Sequence, residues 1–94
     1  MKTYYMGLCE DRHPLPVDKN IFPNRVERTW TTRDLEAMAD KSIPEDCERL
    51  ELYATGLMVA MLAVVAVCAK RGIKLAVYSY DGWWKTYNRQ NVLD

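Results

Sequence analysis

Ninety-four residues suffice for one hydrophobic core and not two, and 49% apolar with 28% charged residues is the make-up of a folded chain. Thirteen basic and thirteen acidic residues cancel, with no basic run, which argues against a nucleic-acid polymer as partner because affinity there rests on neutralising phosphates. A small nucleotide asks only for a few backbone N–H groups and one arginine, so it stays within reach.

In chain order, residues 2–9 read as a first strand, rich in Tyr and Thr and closed by the charged cluster Glu10-Asp11-Arg12. The same stretch lacks the long apolar core of a signal peptide, and no apolar run reaches the roughly 20 residues that span a bilayer. The expectation is a cytosolic protein with no membrane partner. Residues 10–31 hold three of the four prolines, Pro14, Pro16 and Pro23, in a long irregular connection. Its apolar members Leu15, Val17, Ile21, Phe22, Val26 and Trp30 predict that it wraps the core, with a short strand around Ile21-Phe22.

Thr31, with Asp34 three residues on, is an N-cap signal, and Leu35, Met38 and Ala39 follow at helical spacing, so a short amphipathic helix is expected over 32–41. Leu50-Glu51-Leu52-Tyr53 alternates as a second strand over 49–54. Thr55-Gly56 then turns the chain into thirteen consecutive apolar residues, Leu57 to Ala69, which predict a helix over 56–71 ended by Lys70-Arg71-Gly72. Ile73 to Tyr78 alternates again, completing a βαβ unit. Asp81-Gly82 predicts a two-residue hairpin loop pairing Tyr80 with Trp83, Tyr78 with Lys85 and Ala76 with Tyr87. The sum is a single α/β domain over residues 1–94: a small mixed sheet with one βαβ unit, one long buried helix, one short helix and a C-terminal antiparallel hairpin.

The long helix has no polar side. A helix apolar all round is buried, so something must cover its second face: the N-terminal connection with the short helix, or a second copy of the chain. Ala60, Ala63 and Ala66 would admit a close backbone, and a homo-oligomer is expected. Cys9, Cys47 and Cys68 form no Cys-x-x-Cys pair and read as packing residues. One histidine and no paired spacing predict no metal site, and no cofactor is expected.

If the first strand runs parallel to the second, Glu10, Asp11, Arg12 and His13 arrive beside Thr55, Gly56 and Leu57. The N–H groups of a helix start favour phosphate or carboxylate. Thr55 can cap the helix or donate to an anion, Gly56 admits close backbone approach, Arg12 suits a bidentate phosphate contact and His13 can move a proton. Tyr80 lies beyond the same strand ends. Blander readings stand beside these: Thr-Gly as a cap only, His13 as a loop residue beside Pro14, the charges as a solvated cluster, and Tyr80, Trp83, Trp84 and Tyr87 as cross-strand packing. No nucleophile–base pair is visible, which favours binding over chemistry. If the chain is an enzyme, His13 and Arg12 are its candidate acid–base and transition-state groups.

Tyr53-Ala54-Thr55-Gly56-Leu57, the apolar helix, Val77-Tyr78-Ser79-Tyr80-Asp81 and the Cys9-to-His13 block together resemble short phage and prophage proteins. Over about a third of the chain, the strand–Thr-Gly–helix–strand unit is also similar to CRISPR-associated Rossmann-like domains that bind cyclic oligonucleotides at a βα turn. The second glycine and the lysine common in that turn are absent here. The resemblance implies a phage counter-defence protein in the host cytosol that sequesters a small phosphate-bearing signal, a cyclic nucleotide or an ADP-ribose derivative. The alternatives are a metal-independent phosphodiesterase or ring nuclease, and a homo-oligomeric interaction protein without a small ligand.

Overall fold

A computed structural model describes residues 1–9, 17, 19–22, 29–54 and 58–94. Its elements are β1 (Thr3–Gly7), β2 (Lys19–Asn20), α1 (Thr32–Ser42), β3 (Arg49–Ala54), α2 (Met58–Arg71), β4 (Lys74–Asp81) and β5 (Thr86–Leu93). They form one five-stranded sheet in the order β2-β1-β3-β4-β5. β1, β2, β3 and β4 are mutually parallel, and β5 returns antiparallel along β4. The expected mixed α/β sheet with a βαβ unit and a terminal hairpin is present, and the first strand is parallel to the second.

Local chemistry explains the element ends. Thr31 Oγ1 accepts the Asp34 N–H at 3.1 Å while Asp34 Oδ2 accepts the Thr31 N–H at 2.9 Å, a reciprocal capping box that starts α1. At the end of α2, Gly72 takes φ 69°, the left-handed conformation that costs glycine nothing, and the Ile73 N–H reaches back to the Cys68 carbonyl at 2.9 Å. Between the helices, Arg71 Nη1 donates to the carbonyls of Asp40 and Ile43, both at 3.2 Å, and Nη2 to that of Pro44 at 2.6 Å.

One sheet face is apolar. Met6, Leu50, Leu52 and Leu75 lie there, and they share a continuous core with Leu35 and Ala39 of α1 and Ala60, Ala63, Val64, Val67 and Cys68 of α2. Ile21 and Phe22, each at most 3% exposed, also enter it, so this part of the 10–31 connection does wrap the core. The short strand expected at Ile21-Phe22 sits two residues earlier, at Lys19–Asn20. The ladder continues all the same, because the Ile21 and Phe22 N–H groups donate to the carbonyls of Gly7 and Leu8.

Two sequence expectations need correcting. The hairpin register is offset: Asp81 pairs with Thr86, Tyr80 with Tyr87 and Tyr78 with Arg89, leaving a four-residue loop, Gly82 to Lys85. Asp81 Oδ1 accepts the N–H groups of Trp83 (2.9 Å) and Trp84 (3.3 Å), and the positive φ falls on Lys85 (53°) instead of Gly82. A carboxylate capping the turn in this way stabilises a wider loop than the tight Asp-Gly turn. The small residues of α2 also serve a different neighbour. Ala60 and Ala63 are fully buried within the chain itself, while Met58, Val59 and Leu62 carry the exposed apolar stripe.

Candidate functional site

The chain leaves β1 toward β2 on one side and, after α1, resumes at β3 on the other, so the direction of winding reverses between β1 and β3. In open α/β sheets such a switch point, at the carboxyl ends of the strands, is where ligands bind. Here Gly7 is paired with Tyr53, and the Leu8 N–H donates to the Tyr53 carbonyl at 2.9 Å. Cys9 and Ala54, from which the two candidate segments depart, thus stand at one edge of the sheet. The segments themselves, Glu10, Asp11, Arg12 and His13 on one side and Thr55, Gly56 and Leu57 on the other, lie outside the described residues. Tyr80 is described: it is 56% exposed and sits at the same edge, two residues beyond the β4 position paired with Tyr53.

The sheet face turned away from α1 and α2 carries a signal that sequence reading reached only in part. Cross-strand partners share a face, so Tyr53 of β3 lies beside Tyr78 of β4, with rings stacked at 4.4 Å and 9°. Tyr87 of β5 meets Tyr53 edge-on at 5.1 Å and Tyr80 at 5.3 Å. The pattern recovered the aromatic character of the hairpin face and missed the contribution of Tyr53. Trp83 and Trp84, read as packing candidates, are 86% and 74% exposed at the hairpin tip.

One step down the strands, Glu51, Ala76 and Asn91 form a single cross-strand row. Arg89 Nη2 donates to Glu51 Oε1 at 2.9 Å and Nη1 to Asn91 Oδ1 at 3.1 Å. A guanidinium bridging both ends of the row must lie over Ala76, whose methyl group leaves room for it and which is accordingly only 2% exposed. The pair therefore ties β5 to β3 across β4. Its hydrogen bond to Glu51 holds the Arg89 guanidinium above its ordinary value. Glu51 is 95% buried and its second oxygen, Oε2, has no hydrogen-bond partner. Burial, then the neighbouring Tyr78, Tyr87, Tyr5 and Glu51, push the Tyr53 phenol upward, so it stays a neutral donor at physiological pH. No sequence signal marked Glu51 and Arg89 as partners, since they lie 38 positions apart and two strands away.

Nothing nucleophilic is exposed among the thiols. Burial pushes Cys9 and Cys47 upward and takes Cys68 to about 12, in agreement with their reading as packing residues. Two open grooves, about 660 and 470 Å³, follow the α1–α2 seam near Asp40 and Arg71. Four of their charges are already engaged with one another, Lys70 with Glu36 at 3.8 Å and Arg71 with Asp40 at 3.4 Å. Among the described residues, no group of His, Cys, Asp and Glu is placed to hold a metal ion, and no helix is long and apolar enough to cross a membrane. No protein-family model, curated protein or solved structure matches this chain.

Proposed function

We propose that the protein binds and sequesters a small phosphate-bearing signal, a cyclic nucleotide or an ADP-ribose derivative, at the carboxyl edge between β1 and β3. The observation that supports this reading is the parallel pairing of β1 with β3, which sets the departure points of the Arg12 and Gly56 segments side by side at a switch point. Arg12 and the N–H groups at Thr55-Gly56 hold the phosphate in this reading, and Tyr80, with Tyr87 behind it, offers a ring to the base. The resemblance to phage proteins supplies the counter-defence setting and the host cytosol. The exposed stripe of α2 and the exposed tip tryptophans support a homo-oligomer.

Native mass spectrometry of freshly purified protein, followed by calorimetric titration with cyclic nucleotides and ADP-ribose derivatives, tests the proposal. A bound signal should be recovered chemically unchanged after denaturation. Arg12→Ala should lose about 1.5–3 kcal/mol of binding, as for a charge-assisted hydrogen bond, and His13→Ala should remove no reaction. Turnover by the wild-type chain that disappears in His13→Ala would replace sequestration with the ring-nuclease reading.

A further inference from the structure

The outer edge of β5 is an eight-residue strand paired with β4 on one side and with no other strand among the described residues on the second. Its outward N–H and C=O groups form a ladder waiting for a partner, and proteins normally guard such an edge with proline, inward charge, a bulge or shortness. β5 has none of these along its centre. It contains no proline, its single charge, Arg89, is bound to Glu51 and Asn91 of the same chain, and its register shift lies at the far end, opposite Leu75 and Ala76.

Exposed apolar groups flank the edge at both ends. Trp83 and Trp84 precede it, and Val92, 44% exposed, closes it. An antiparallel copy of the same strand sets the start of each against the end of the other, so each pair of tryptophans meets a valine. A parallel partner would not do this.

The pleat fixes where the two-fold axis can fall, because residues directly opposite must share a face. Centring on Arg89 would place like charges opposite each other, which is unfavourable. Centring on Asn88 sets Tyr87 against Arg89 of the second copy and Thr86 against Gln90, and brings the tip that carries Trp83 and Trp84 toward the end of the strand that holds Val92. We propose that β5 pairs with β5 of a second copy about Asn88, joining two five-stranded sheets into one continuous sheet. This gives the proposed homo-oligomer its surface and is independent of the ligand reading.

Light scattering coupled to size exclusion, on the full chain at micromolar concentration, reads the outcome. Wild type should have twice the chain mass. Asn88→Lys and Asn88→Asp each place like charges on the axis and should halve it, while the circular dichroism spectrum of the separated chains stays that of the folded protein because Asn88 is exposed. Mixing the two variants in equal amounts should restore the dimer mass. A monomeric wild type, Asn88 variants that remain dimeric, or a mixture that stays monomeric would each overturn the pairing, and separation by Leu62→Glu alone would move the interface to α2. Titrating cyclic nucleotides into the monomeric Asn88→Lys chain tests the ligand reading separately.

Discussion

Arg71→Met removes a guanidinium and keeps the aliphatic stem, so it isolates what the three carbonyl contacts contribute. Asp40, near the end of α1, has a carbonyl with no further helical turn to serve it, and Ile43 and Pro44 follow in the connection to β3. Arg71 satisfies all three at 3.2, 3.2 and 2.6 Å from a side chain only 21% exposed. At about 0.5–1.5 kcal/mol net per hydrogen bond, the loss should total about 2–4 kcal/mol. The ion pair with Asp40 adds little, because that carboxylate is 63% exposed and screened by water. With a urea slope of about 1–3 kcal/mol per molar for a small domain, the midpoint should fall by roughly 1–2 M. Circular dichroism at the helix band during urea unfolding measures it. Arg71→Lys should recover less than half, because an ammonium is one point charge and cannot address three carbonyls as a planar fork does. A loss below about 1 kcal/mol, or full recovery by lysine, would refute the account of Arg71 as the clamp between α1 and β3.

Further outcomes follow from other contacts. Thr31→Ala should cost about 1 kcal/mol in thermal or urea unfolding, as for other N-cap losses. Asp34 is held below the usual carboxylate range by its hydrogen bonds from the Thr31 backbone and side chain, so its contribution is present above the unfolded carboxylate pKa and disappears as pH falls through the folded value. Asp34→Asn should therefore flatten the acid side of the stability–pH curve. Cys68 works in the opposite sense: its thiol rises from 9.0 to about 12, so its contribution is full below 9 and is lost as pH climbs toward 12. Cys68→Ala should reduce the alkaline decline, and thiol labelling of the native chain at pH 8 should be slow until urea is added. Gly56→Val should weaken ligand binding more than it lowers the melting temperature; equal losses would reduce Gly56 to a turn residue.

The elements read best from sequence are those whose signals are local. The α1 capping box needs only Thr31 and Asp34, and β3 was bounded at 49–54 by the alternation from Leu50 to Tyr53. The hairpin shows where locality stops. Asp81-Gly82 marks the turn, but the Asp81 carboxylate and the positive φ of Lys85 decide the loop length, and neither is written in the dipeptide. Parallel pairing of β1 with β3 depends on the return path of the intervening chain and has no signature within either strand. The tyrosine face and the Glu51–Arg89 bridge depend in turn on that strand order, so they became visible only with the sheet assembled.

Ala54 is paired with Ser79, and beyond it Tyr80 and Asp81 pair, among the described residues, with β5 alone. The last part of the hairpin is therefore a two-stranded ribbon, while the part below it is sewn to β3 through Arg89. Amide hydrogen exchange should divide the molecule accordingly. The amide protons bonded between Tyr80–Asp81 and Thr86–Tyr87 can exchange by fraying of the ribbon, whereas those of Leu52 and Leu75 need opening of the sheet itself. The aromatic tip and the sheet body then keep separate time, and a partner that grips the tip should slow the fast class of protons without moving the slow one.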